Sequence, residues 1–471
     1  MRDERDERAT GTRACDSEAS RRWRPNKEWS AELADVATRR FVDELTVPEI
    51  AKKTGKTQAE VRRMIRQATR WGVVSFSIDE RLAYRGRPVK NLEKELNENF
   101  GTTAMNVVEV DRVSSNSFTQ DNYVHTVLAN MAALEIKGRI EAETHIALGG
   151  GRAAYETARA LSRMVRPYSD VQITPLCGRI RTHSWQNPAL PKKPIFRRAQ
   201  DRNDTEITSL RRPLDADDAA VKLFSAFEYA SGTRVNQVSH PLFAETNLEA
   251  ERHMTNHCPF LPRGQWRGNE KPQLAILGVG QMDPNGDHRL AEAIRDPNKA
   301  HEDLYLDKAI PALTKVIEIV KTGSLPYPGD LSNRLFPALF LPEEINSQFK
   351  ERSTEQSYES LVDQLEEMNR RMVVIDWGHL RGVKTVVIAG GEFKRQALWT
   401  LLLTNLIGYT ELGRERLVYE LWTDAETAKS LLRNWALLES RVDGHELWDW
   451  YVEMSKKLFV MTSKAMKSVA C

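Results

Sequence analysis

The stretch Thr46 to Ala68, TVPEIAKKTGKTQAEVRRMIRQA, constrains the chain most, because it holds two helix starts with room for no more than a turn between them. Thr46 with Glu49 and Thr57 with Glu60 each form an S/T-x-x-E capping box, in which side chains satisfy the N–H groups that a first helical turn leaves unpaired. Gly55 supplies the turn. Ile50 and Ala51 on the first helix, and Val61, Met64, Ile65 and Ala68 on the second, recur at three- and four-residue spacing, so each helix has one apolar stripe to press on the other. This is a helix-turn-helix. The opposite face of its second helix carries Gln58, Arg62, Arg63, Arg66 and Gln67, donors of the kind that read guanine and adenine edges in a major groove. Thr57, Gln58, Arg62, Arg63 and Arg66 are therefore the candidate DNA contacts, Arg66 nearer the phosphates. A solvated basic face on an ordinary helical hairpin is the simpler alternative.

Charge supports the first reading. Residues 30–90 hold thirteen Lys and Arg against eight Asp and Glu, a local charge of +5, whereas the whole 471-residue chain carries only +2. A small basic module on a near-neutral body suits phosphate neutralisation. Cys15, Cys177, Cys258 and Cys471 are scattered without a C-x-x-C pair, which predicts neither a zinc ribbon nor a disulfide framework and fits a reducing cytoplasm. His253, His257 and Cys258 lack an evident fourth ligand, so no metal or cofactor is expected. The N-terminus has alternating charges and no apolar run, and the longest apolar run, Ala397 to Ile407, is too short to span a bilayer. No membrane role is indicated.

Four segments are expected: a disordered arm over 1–30, a winged helix-turn-helix domain over 31–85 with Val73 to Ile78 as the wing, a large domain over 91–432, and a helical tail over 433–471. In the large domain strands alternate with helices, the signature of a doubly wound, mostly parallel α/β sheet. Predicted strands are Val107 to Val110, His145 to Leu148, Val171 to Leu176, Leu274 to Leu277, Met372 to Ile375, Val386 to Ala389 and Leu417 to Trp422, with helices over Asn91 to Phe100, Val124 to Lys137 and Ala153 to Val165. Residues 181–212, rich in proline and arginine, read as a surface insertion.

Two strands run into glycine turns that open helices, where N–H groups and the helix dipole can hold an anion. Gly149, Gly150 and Gly151 precede Arg152; Gly390 and Gly391 precede Lys394. Gly278-Val279-Gly280 and Gly329-Asp330 read as further turns, and Thr423 with Glu426 as a third capping box.

The order helix-turn-helix, GGGR, QLAILGVGQMD, PGDLSNRLF, VVIAGGEFKRQAL and WTDAETAKSLL resembles the sugar-binding transcriptional regulators of the SorC family, also called the DeoR-type effector-binding family. The resemblance implies an effector domain similar in fold to sugar-phosphate isomerases and deaminases, and a homo-oligomer, dimer or tetramer, whose affinity for double-stranded operator DNA is altered by a sugar or sugar phosphate. It also implies that Gly149 to Arg152 hold the phosphate, that Asp330 meets sugar hydroxyls and that Lys394 meets phosphate or hydroxyl, with Arg179 or Arg181 assisting. Where the family usually follows the glycine turn with a threonine-rich or tryptophan-containing sequence, this chain has Arg152, Ala153 and Ala154, and Glu392 stands where a small or apolar residue is commoner. An enzyme of the isomerase type carrying a DNA-binding appendage is the alternative function.

Overall fold

A computed structural model describes residues 27–41, 43, 45–70, 86–112, 117–165, 168–178, 216–227, 232–235, 242–257, 271–283, 309–345, 352–375, 377–441 and 444–467. The chain divides into two compact units, Met1–Asp79 and Glu80–Cys471.

The described residues of the first unit form three helices, α1 (Lys27–Phe41), α2 (Val47–Thr54) and α3 (Gln58–Arg70). Leu33, Val36 and Ala37 of α1 close over Ile50 and Ala51 of α2 and over Val61, Met64 and Ala68 of α3, a core of eight buried side chains. Fully burying a Leu, Val, Ile or Met contributes about 1.5–3 kcal/mol, so a core this small depends on each member. Both capping boxes form: Glu49 accepts the Thr46 N–H at 2.7 Å, and Glu60 accepts the Thr57 N–H at 2.8 Å. Gly55, at φ +67°, turns the chain between them. Helix α1 starts four residues ahead of the expected boundary, while the expected wing lies outside the described residues.

The second unit is built on a mixed sheet. Strand β1 (Arg87–Pro88) pairs antiparallel with β2 (Ala104–Glu109), with α4 (Lys90–Phe100) between them in sequence. Next come α5 (Ser117–Ile136), β3 (His145–Leu148), α6 (Arg152–Met164), β4 (Gln172–Pro175), α7 (Ala216–Phe224), β5 (Arg234–Val235), α8 (Asn247–His257) and β6 (Leu274–Gln281). After α9 (Ile310–Thr322), the hairpin β7 (Gly329–Leu331) and β8 (Arg334–Phe336) is followed by α10 (Arg352–Arg370) and α11 (Trp377–Leu380). Strand β9 (Lys384–Ile388), α12 (Arg395–Thr410), β10 (Glu420–Asp424), α13 (Ala425–Ser440) and α14 (Gly444–Lys467) complete the chain.

Seven strands run parallel in the order β2-β10-β9-β6-β3-β4-β5. After β3 the chain steps to β4 on one side, and β6 takes the other side. The crevice beyond the carboxyl ends of β3 and β6 is thus a topological switch point, where open α/β sheets bind ligands. Side-chain alternation gives the sheet two covered faces. Val386 and Ile388 pack with α5 and α6 residues, and Val387 and Ala389 pack with the core around α12 and α13.

Three expectations are corrected. The Gly278-Val279-Gly280 segment is strand, because β6 continues through it to pair Val279, Gly280 and Gln281 with β7. Residues 372–375 make only single bridges, Met372 to Phe243 and Val374 to Cys177, too few hydrogen bonds for a strand. Nor does the domain end at residue 432. Helix α13 runs through that boundary, and α14 packs back with Leu447, Tyr451, Met454 and Leu458 buried. Tyr451 stands 6.1 Å from Trp399 of the buried helix α12 and donates its hydroxyl to the Phe340 carbonyl at 2.8 Å. Trp448 lies edge-on to Trp435 at 6.3 Å, so the late tryptophans belong to the body's own core.

Candidate functional site

At the first glycine turn, β3 ends in Leu148 and α6 begins at Arg152. The Gly149 N–H donates to the Ile276 carbonyl of β6 at 2.9 Å, which ties the turn to the neighbouring strand. The β7–β8 hairpin tip covers it: a Cβ on Gly149 would collide with the Ser332 side chain, and one on Gly150 would lie 2.5 Å from Asn333 Nδ2. Only glycine permits this approach. Ser332 and Asn333 hold left-handed backbone angles, φ +53° and +72°, and Asn333 Nδ2 donates to Cys177 Sγ at 3.1 Å. The Ser332 hydroxyl is buried at the turn with no partner among the described residues.

Asp330 is buried in this hairpin, its Oδ1 accepting the Asn333 N–H at 2.9 Å. That oxygen serves the hairpin turn. Arg179 and Arg181 lie outside the described residues, beyond Gly178.

At the second glycine turn, after β9, Gly391 has φ +93° and its N–H donates to Asp424 Oδ2 at 2.8 Å. Asp424 ends β10 and is the N-cap of α13, accepting from the Glu426 and Thr427 N–H groups. The cap is therefore Asp424, one residue past the expected Thr423, because a carboxylate there can serve its own helix and the adjacent turn together. The Thr427 hydroxyl adds a 2.6 Å bond to Asp424 Oδ2.

Two side chains of α5 complete this end of the sheet. A Cβ on Gly391 would lie 2.6 Å from Asp121 Oδ1, and Lys394 Nζ stands 2.7 Å from His125 Nε2. With an ammonium as its neighbour, that imidazole nitrogen is the acceptor, so the ring is neutral. Burial holds the His125 pKa well below its ordinary range, and the charges of Lys394 and Arg152 push it the same way. The Gly390 backbone acts in the opposite sense. Burial raises the Asp121 carboxyl to about 6; Lys394 opposes the rise, Asp424 adds to it, the Glu392 N–H opposes it as a hydrogen-bond donor, and the Glu392 charge adds to it.

His125 thus links the turns. Arg152 follows the first, Lys394 belongs to the second, and both cations act on this one ring. Gly149, Gly150, Gly151, Arg152, Gly390, Gly391 and Lys394 fall at the carboxyl end of the sheet, on the two strands that flank β6, and Asp330 lies in the hairpin that pairs with β6. Asp121 and His125 are absent from the sequence reading. Their available signal is the pair of polar residues one helical turn apart on a largely apolar helix.

In the first unit, Thr57, Gln58, Arg62, Arg63 and Arg66 are all exposed, while Gln67 is half-buried and leaves the candidate reading face. His253 Nε2 lies 3.3 Å from Glu249, one turn back on α8, and Cys258 is outside the described residues.

Residues 88–231 match the family model described as "Putative sugar-binding domain". No curated protein matches the chain. Among solved structures, the full-length sorbitol operon regulator SorC from Klebsiella pneumoniae is similar over 86% of this chain and 99% of its own, at 14% identity and a TM-score of 0.40. A DeoR family transcriptional regulator from Listeria monocytogenes is similar over 73% of this chain and 98% of its own, at 16% identity and a TM-score of 0.42. A domain of a possible sugar-binding transcriptional regulator from Arthrobacter aurescens TC1 has 18% identity, coverages of 73% and 97%, and a TM-score of 0.42. Among the described residues no helix is long and apolar enough to cross a membrane.

Proposed function

We propose that this chain, whose residues 88–231 match the model of a putative sugar-binding domain, is a transcription regulator that binds operator DNA through α3 and senses a sugar phosphate in the crevice beyond the carboxyl ends of β3, β6 and β9. The observation that carries the reading is that Gly278 of β6 stands between the two glycine turns: it pairs with Ile388 at the end of β9, and a Cβ on it would lie 3.5 Å from the Gly150 carbonyl, while Lys394 of the second turn meets His125 at 2.7 Å. Glycine turns that open helices suit an anion, and cations beside them suit a phosphate. The helix-turn-helix supplies too few base contacts alone, so operator binding requires at least a dimer with half-sites on one DNA face.

A ligand shifts a regulator only through different affinities for its two states. Arg152→Ala and Lys394→Ala are therefore expected to leave operator affinity of the free protein intact while weakening the response to sugar phosphates. An operator titration with and without a panel of pentose and hexose phosphates measures this. Both variants responding at the wild-type concentration would place the sensor elsewhere.

One observation favours an enzyme as the second reading. The Asp121 carboxyl, at about 6, is in the range of a general acid or base at neutral pH, and the Lys394 charge acts on it. Incubation with the same phosphates followed by product analysis separates the two, since a sensor returns them unchanged.

A further inference from the structure

The two glycine turns are not equivalent. At the β9 turn, the chain's own carboxylates take the donors that an incoming anion would need. Asp424 is 5% exposed and accepts from the Gly391, Glu426 and Thr427 N–H groups and from the Thr427 hydroxyl. Those donors serve the fold itself; the Glu392 N–H is the donor of this turn that Asp121 takes, where it lies against Gly391 and the Lys394 charge acts on it. Against the glycines of the β3 turn stand the Ser332 hydroxyl, the Asn333 amide and the Cys177 thiol, and Arg152 opens α6 there.

We infer that Asp121 is a built-in occupant of the β9 anion site, so that the ligand carries its single anionic group at the β3 turn and offers hydroxyls to Asp121. This rests on the sugar-phosphate reading and narrows it from phosphorylated sugars in general to sugar monophosphates. A second phosphate at β9 would face the Asp121 carboxylate inside the few ångströms where unscreened like charges repel strongly. A hydroxyl there would instead donate to Asp121 while Lys394 stays neutralised. His125 is already neutral through its Lys394 contact and adds no charge to draw in an anion. The groups that set the charge around Asp121 are Lys394, Asp424 and Glu392; Arg152 reaches the cluster through His125. At pH 7.5, above its raised pKa, Asp121 is mostly ionised and the β9 turn is closed to anions.

The test is equilibrium dialysis of the full chain against inorganic phosphate at pH 7.5 and low ionic strength, for wild type and Asp121→Asn. One phosphate per wild-type chain and two per Asp121→Asn chain are expected. Two on the wild type, or no gain in the variant, would overturn the inference. None on the wild type with one on Asp121→Asn would uphold the β9 assignment while removing the β3 cradle from the proposed function. A second measurement needs no variant: fructose 6-phosphate should bind the wild type at least about tenfold more tightly than fructose 1,6-bisphosphate, a margin of about 1.4 kcal/mol. Equal or tighter binding of the bisphosphate would sink the inference even if the variant failed to fold.

Discussion

The helix-turn-helix unit and the sheet unit are held together by different kinds of information. In the first, both helix starts are fixed by residues three apart, Thr46 with Glu49 and Thr57 with Glu60, and the core is eight side chains on three consecutive helices. In the second, each determining contact joins distant segments: β10 pairs with β2, α14 covers α12, and Lys394 meets His125. Local signals therefore specify the small unit almost completely. The large unit has its strands written locally and its site written only in their order.

The sharpest break of that contrast is Trp399→Ala. Trp399 is fully buried and touches Phe100 at 5.8 Å and Tyr451 at 6.1 Å, joining α4, α12 and α14. Removing such a side chain costs about 3–5 kcal/mol, because a cavity is added to the lost transfer energy. Hydrogen exchange should accelerate through α12 and α14 while α2 and α3 keep their protection. Equal loss in both units would show that the large core supports the small one.

Arg63→Ala tests what the small unit does with its exposed face. If Arg63 reads a base edge, operator affinity falls by about 1–3 kcal/mol and one position of the sequence preference relaxes. A phosphate contact would weaken all sequences alike and flatten the salt dependence. Unchanged affinity for both would take α3 out of the DNA reading.

How much was legible follows from the same contrast. Glycine turns, β-rich runs and the helix-turn-helix are short-range patterns, so β3, β9 and α3 are legible within a residue or two. The expected helix over Val124 to Lys137 starts seven residues late, because the polar first turns of α5 carry no apolar stripe to announce them. That omission hides Asp121. His125 falls inside the expected helix, but nothing local says that its ring meets Lys394 across the sheet end. Asp424 is read one residue off for a related reason, since its second role at Gly391 belongs to a turn on the neighbouring strand. The 433–471 tail is misjudged as separate because an amphipathic helix does not reveal which core its stripe fits.

Thr57→Ala removes a local signal and, with it, one candidate DNA contact. The Thr57 hydroxyl accepts the Glu60 N–H at 3.2 Å and donates to Glu60 Oε2 at 2.8 Å. Loss of such a cap costs about 1 kcal/mol. The effect should appear as faster exchange in the first turn of α3 and a small loss of operator affinity, with the phosphate site unaffected. A change in phosphate binding would mean that the units exchange more than proximity in sequence.

The smallest effect concerns pH. The Glu60 carboxylate is held below its ordinary range by the Thr57 N–H first and the Thr57 hydroxyl second, and Glu49 likewise by the Thr46 hydroxyl and then its N–H. A depressed folded-state pKa means that the stabilisation is fully present above the unfolded value of about 4.3, and is lost as pH falls through the folded value. Asp121 runs in the other direction, since burial raises its pKa to about 6: it favours the fold more as pH falls from neutral toward the unfolded carboxyl range. Between pH 6.5 and 5, amide protection around α5 should therefore rise relative to Asp121→Asn, while α2 and α3 remain level. Below pH 4.5 the order reverses, and the protection of α3 in wild type should fall toward that of Glu60→Gln, which keeps an acceptor oxygen but has no charge to lose. Exchange measured on the full chain at each pH, as the ratio of variant to wild type, cancels the intrinsic pH dependence of the amides. A wild-type to Glu60→Gln ratio that stays constant from pH 7 to pH 3.5 would show that the carboxylate's charge contributes nothing at the cap and that its oxygen alone suffices.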